Sequence, residues 1–234
     1  MTTVARGVAR APGAIAPRAL AVPAYFHPAV AAADWETLTG VGRAVRAVIL
    51  NAADGPGPAP ELTLRAAAAA TGRPVLGYVD TNYGRRPLEQ VLLDVRRHHD
   101  WYQTSGVFLD RVSTGVTALP HYERMVSRIA SGTVVLNHGA CPHPGYAAIA
   151  DAMVTFEGPY AAHENVEMPM WTRGLPAERF WHLVYGTPER LLRPALERAA
   201  ASHVGTVLVT DRVGDNPWSG LPSYFGVQAR AWAG

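Results

Sequence analysis

Eight times along this chain a short apolar run, rich in β-branched and aromatic residues, stops at a polar residue or a turn. The clearest is Gly106-Val-Phe-Leu-Asp110, which passes at once into the charged, hydroxyl-bearing loop Arg111-Val-Ser113. An apolar run bounded by Gly on one side and polar residues on the other reads as a buried strand. The remaining runs cover 20–26, 47–50, 74–79, 133–136, 152–156, 180–185 and 206–209. Helical patterns separate most of them. Glu61 to Ala70 is dominated by Ala and Leu, and Thr71-Gly72 stops it. Pro87 suits a first helical turn, after which Leu88, Val91, Leu92 and Val95 share one face. Residues 121–130 and 189–201 complete the pattern, the former with Tyr122, Met125, Val126 and Ile129 inward.

Alternating β and α units imply a parallel sheet, and eight of them imply closure into a single (β/α)8 barrel of the TIM type. An open doubly wound sheet is the alternative. It usually has fewer strands and carries a Gly-rich phosphate turn after the first, where this chain has His27-Pro28. The expected organisation is a loose lead-in over 1–19 and one barrel domain over 20–234.

Composition narrows the chemistry. All 21 basic residues are Arg, and the absence of Lys excludes a Schiff-base lysine, a pyridoxal-phosphate lysine and a P-loop lysine. No cofactor is expected. A net charge of +2 with scattered Arg gives no nucleic-acid footprint, and no run reaches the roughly 18 apolar residues of a membrane span. The single Cys141 allows no intrachain disulfide. Pro12, Pro17 and Arg18 interrupt any apolar stretch that could serve as a secretory leader, so the expected location is cytoplasmic.

In such barrels the chemistry sits at the carboxyl ends of the strands. Here those ends supply His27, Asn51, Asp80, Asp110, Asn137, Glu157 and Asp211, with His182 inside the seventh strand and Tyr83 and Arg111 in adjoining loops. A strand-end Asp also commonly caps the next helix; the recurrence of acids at one mouth is what favours a site. Acids with amides, His and aromatic rings suit a sugar, and glycosidic cleavage needs two carboxyl groups in different protonation states. Asp110 and Glu157, two strands apart, form the candidate pair. Asp80 is the next candidate, on a strand adjacent to that of Asp110. Trp218 and Tyr224 read either as a stacking platform or as packing of a C-terminal cap. Trp181 and His182 must point to opposite faces, and His182 is taken as the inward one. His138, Cys141 and His143 are spaced H-x2-C-x-H, but no second ligand pair accompanies them, so no metal is expected.

The motifs Pro23-Ala-Tyr-Phe-His-Pro28, Val48-Ile-Leu-Asn51 with Gly55-Pro-Gly57, Gly77-Tyr-Val-Asp-Thr-Asn-Tyr-Gly-Arg85 and Gly106-Val-Phe-Leu-Asp110 resemble the spherulin 4 family (spherulation-specific family 4). So do Thr155-Phe-Glu-Gly158, Phe180-Trp-His182 and Thr210-Asp211 with Pro217-Trp218, and the resemblance runs from about 20 to 226. It implies a (β/α)8 barrel and a glycoside hydrolase acting on galactosamine-containing polysaccharides, with Asp110 as nucleophile and Glu157 as acid/base. Arg111 stands where hydrolases of that group commonly carry a second acid. Such an Arg would lower the pKa of Asp110, or else fill the cleft. The expectation is a glycoside hydrolase, retaining, on an amino-sugar glycoside or oligosaccharide. The alternatives are a cyclase or lyase of small-molecule metabolism using the same acids, and a non-catalytic carbohydrate-binding barrel.

Overall fold

The computed structural model describes residues 18–130 and 132–233; most of the expected lead-in lies outside them. Eight parallel strands close into a barrel in sequence order: β1 (Ala19–Ala24), β2 (Val45–Leu50), β3 (Val75–Asp80), β4 (Gly106–Asp110), β5 (Thr133–Asn137), β6 (Ala152–Pro159), β7 (Phe180–Tyr185) and β8 (Thr206–Val209). The ring closes where Ala19 and Leu20 of β1 pair with Thr206 and Val207 of β8. Among the described residues seven α-helices lie on the outside: α1 (Ala32–Gly40), α2 (Leu62–Ala70), α3 (Leu88–Tyr102), α4 (Leu119–Ser127), α5 (Tyr160–His163), α6 (Leu192–Ala201) and α7 (Phe225–Ala233). Between β5 and β6 the chain makes only a 3-10 turn, Pro144–Ala148. Among the described residues no helix is long and apolar enough to cross a membrane.

Local chemistry explains the pieces that position the mouth. Glu61 caps α2 by accepting from the backbone N–H groups of Thr63 and Leu64, which satisfies donors that a first helical turn leaves free. Pro87 is the N-cap of α3 rather than its first residue. Val91 and Leu92 are buried beneath that helix, while Leu88 and Val95 pack at the edge of the core. Gly77 leaves β3 without a side chain on its outer face, and the ring of His98 from α3 occupies that space. His98 Nε2 then donates to the carbonyl of Tyr78 at 2.7 Å; burial holds the ring's pKa down at about 4, so it is neutral. With Gly77 outward, period-two alternation sends Tyr78 and Asp80 into the barrel.

The same alternation corrects one expectation. In β7 Tyr185 lines the mouth, so Trp181 and Leu183 share its face and His182 points outward. His182 is fully buried against Phe156 and His163 of α5, not in the barrel interior.

Candidate active site

Asp110, Asn137 and Glu157 come from the consecutive strands β4, β5 and β6, and the amide stands between the two acids. Asn137 Nδ2 donates to Asp110 Oδ1 at 2.6 Å and to Glu157 Oε2 at 2.5 Å. Two oxygens held by one nitrogen at these lengths are no more than about 5.1 Å apart. The other oxygens are also engaged: Tyr78 Oη donates to Asp110 Oδ2 at 2.8 Å, and Trp218 Nε1 donates to Glu157 Oε1 at 2.9 Å. Ladder bonding continues past the strand ends, with Thr81 N to Asp110 O at 2.9 Å, Val112 N to Asn137 O at 2.8 Å and Glu157 N to Gly139 O at 3.0 Å. The carboxyls therefore stand on backbone that is tied across four strands.

Burial raises the pKa of both acids, because a charge loses hydration there. Their surroundings diverge beyond that. Asp110 is opposed in its rise by bonds from Tyr78, the Arg111 backbone N–H and Asn137. Glu157 is pushed further by the charge of Asp110, against bonds from Asn137 and Trp218. Two carboxyls in one cavity cannot both ionise freely. Tyr25 lies beside both, and burial with those two charges keeps its hydroxyl neutral.

Next to the pair is a cavity of about 430 Å3, lined by Tyr25, Asn51, Asp54, Tyr78, Glu157, Tyr185 and residues 214–218. Trp218 and Tyr185 meet edge to face at 6.3 Å, as do Tyr25 and Tyr78 at 5.3 Å. Its residues are a mixture of carboxylates, amides and aromatic rings. A larger cavity of about 530 Å3 opens between α1 and the start of α7, lined by Asp34, Asp211, Arg212 and Ser223, away from the paired acids.

The remaining expected site residues fall into three groups. Asn51 is at the cavity, its Oδ1 accepting from Gly55 N at 2.8 Å. Asp80, Arg111 and Tyr83 form a separate rim. Arg111 does not pair with its neighbour Asp110; its guanidinium binds Asp80, which is thereby held below the usual carboxylate range despite burial. Tyr83 is exposed, adopts φ 55° and ψ 36°, and has Arg85 and Arg111 beside its ring. The others face elsewhere. His27 binds Glu61 at 3.0 Å, Asp211 binds the Ser223 hydroxyl at 2.6 Å, and Tyr224 is buried with its hydroxyl donating to Thr187 O at 2.7 Å. Tyr224 is thus no stacking platform. Trp218 is buried as well and meets Glu157 through its N–H edge. Among the described residues no three His, Cys, Asp or Glu side chains converge as a metal site would require.

The sequence reading missed Tyr25, Tyr78, Tyr185, Asp54 and Asp215. The signal was available for Tyr78, which has the same strand parity as Asp80, and for Tyr185 at the end of β7.

A family model, spherulation-specific family 4, matches residues 19–231. The chain belongs to this family. Spherulin-4 of Physarum polycephalum is 28% identical, across 92% of this chain and 70% of that protein. The crystal structure of Aspergillus clavatus Sph3 in complex with GalNAc has the same fold, with a TM-score of 0.78 at 21% identity, covering 94% of this chain and 99% of that one.

Proposed function

We propose that this spherulin 4 family member is a retaining glycoside hydrolase acting on an amino-sugar glycoside or oligosaccharide. The observation that carries this reading is the pair of acids held by one amide beside an aromatic-lined cavity. Their facing oxygens, no more than about 5.1 Å apart, fall short of the roughly 6.5–9.5 Å gap that admits a water, which favours a nucleophile with an acid/base over an inverting pair. Asp110, the better supplied with donors, is the nucleophile: it attacks the anomeric carbon as the glycosidic bond breaks. Glu157, whose anion is opposed by burial and by Asp110, gives its proton to the departing oxygen. It then takes a proton from water, which attacks the same carbon and frees Asp110. Amino-sugar chemistry is supported by the GalNAc in the Sph3 structure, and by a cavity whose charged lining residues, Asp54, Glu157 and Asp215, are all acids. Arg111, which would close the cleft of a barrel that only binds, is turned onto Asp80 instead.

The test is hydrolysis of galactosamine-type oligosaccharides, with the anomer of the first product read by NMR. Retention is expected, with Asp110→Asn and Glu157→Gln each losing turnover while keeping the fold. Full activity in either variant removes the assignment, and the inverted anomer removes the retaining mechanism.

A further inference from the structure

The amide of Asn137 has every polar atom committed. Its Oδ1 accepts from Gly139 N at 3.0 Å, which fixes which way the group faces, and Nδ2 is left to serve the two carboxyls. An amide nitrogen has two N–H groups, set apart by the planar geometry of the group. One carboxyl therefore sits at the end of each. The residue is itself buried and ends β5, and its backbone carbonyl accepts from Val112 N at 2.8 Å, so the spacer stands on fixed backbone.

We propose that Asn137 is a positioning residue that sets the gap between Asp110 and Glu157 by giving one N–H to each, rather than a group that binds the sugar. This rests on the hydrolase reading for its catalytic consequence, though not for its geometry. The flanking donors divide the pair cleanly. Tyr78 reaches Asp110 alone, Trp218 reaches Glu157 alone, and Asn137 reaches both. A donor to a carboxylate favours its ionised form. Loss of each donor must therefore raise the titration of the acid it touches, and only loss of Asn137 removes a bond from both; after loss of Tyr78 or Trp218 the other acid moves only through its neighbour's charge, and so by less.

The experiment follows the two carboxyls by 13C NMR in protein labelled at Asp and Glu, assigned through Asp110→Asn and Glu157→Gln, alongside the pH profile of kcat/KM. Tyr78→Phe should raise the Asp110 titration and the acid limb of the profile. Trp218→Phe should raise the Glu157 titration and the basic limb. Asn137→Ala should raise both and lower kcat on the order of 100-fold, the scale of a misplacement near 1 Å. Asn137→Ser, whose short hydroxyl cannot span both acids, replaces it if the Ala variant does not fold. An Asn137 variant that folds but leaves either carboxyl titrating as in the parent overturns the proposal. Titrations that shift as described in a protein that hydrolyses no amino-sugar substrate uphold the spacer and remove the hydrolase reading instead.

Discussion

Arg111 binds Asp80, on the neighbouring strand, and not Asp110, the residue it follows. The cause is in the backbone: Arg111 has φ 49°, a left-handed conformation that swings its side chain outward as the chain leaves β4. Tyr83 N donates to Arg111 O at 2.7 Å and Ser113 Oγ to Tyr83 O at 3.0 Å, which locks the two loops together. Strain of this kind persists where its surroundings determine it. Asp80 is consequently neutralised as a catalytic candidate, and Asp110 bonds Tyr78 and Asn137 rather than the guanidinium next to it.

Arg111→Gly and Arg111→Ala both remove the ion pair, but only Gly relieves the left-handed backbone. The Gly variant should exceed the Ala variant in stability by about 1 kcal/mol, measured by urea denaturation. Equal stabilities would show that the loop relaxes once the guanidinium is gone.

Tyr224 gives a contrasting case. Its buried hydroxyl serves the carbonyl of Thr187 and touches neither acid. Tyr224→Phe should cost about 1 kcal/mol of stability, the usual worth of one buried hydrogen bond, and leave kcat and KM as they were. A change in kcat would place it in the site after all.

Much of the fold was legible because strands of a parallel barrel are buried on both faces and so read as continuous apolar runs. That same burial hid side-chain direction. Trp181 and His182 are both enclosed, and nothing in Phe180–Tyr185 alternates in polarity, so only the position of Tyr185 at the mouth settles the parity. The acids were legible as strand ends. Their partners were not: Asn137 looked like a group for sugar hydroxyls because one-dimensional order does not reveal that β5 places it between two carboxyls. Trp218 reaches Glu157 from beyond β8, 61 positions away, a contact without any local signature.

The outward-facing histidines predict how the protein responds to acid. His163 Nε2 and His182 Nδ1 are 2.9 Å apart, one ring N–H donating to the other ring, with Phe156 packed on both. Burial lowers the pKa of both, His163 to about 4 and His182 well below its ordinary value, and the Arg198 guanidinium opposes charge on each. The unfolded chain binds these protons near pH 6.5 and the folded chain does not, so stability is lost as pH falls from there towards 4. Replacing both rings by Gln should flatten the stability profile in that window, by up to about 1.4 kcal/mol per pH unit for each proton no longer taken up. His98 and His138, each also held at about 4 by burial, keep part of the slope. An unchanged slope in the double variant would mean that the pair is charged in the folded protein.

Glu157 should act in the opposite sense. Burial and the charge of Asp110 raise its folded pKa above that of the unfolded chain, so the stability it contributes is complete below the unfolded carboxylate pKa and is lost as pH rises through the folded one. Glu157→Gln removes this titration. Its amide also places an N–H against a donor, Trp218 or Asn137, so the variant carries a fixed cost at every pH. The difference between variant and parent should therefore narrow as pH increases from about 4 to 7, since Asp110 titrates in both proteins and only the parent also loses stability to the ionisation of Glu157. Urea denaturation of both proteins across that range measures it. A gap that stays constant would show that Glu157 titrates as an exposed carboxyl does, and Glu157 would then lack the raised pKa that fits it to protonate a leaving oxygen.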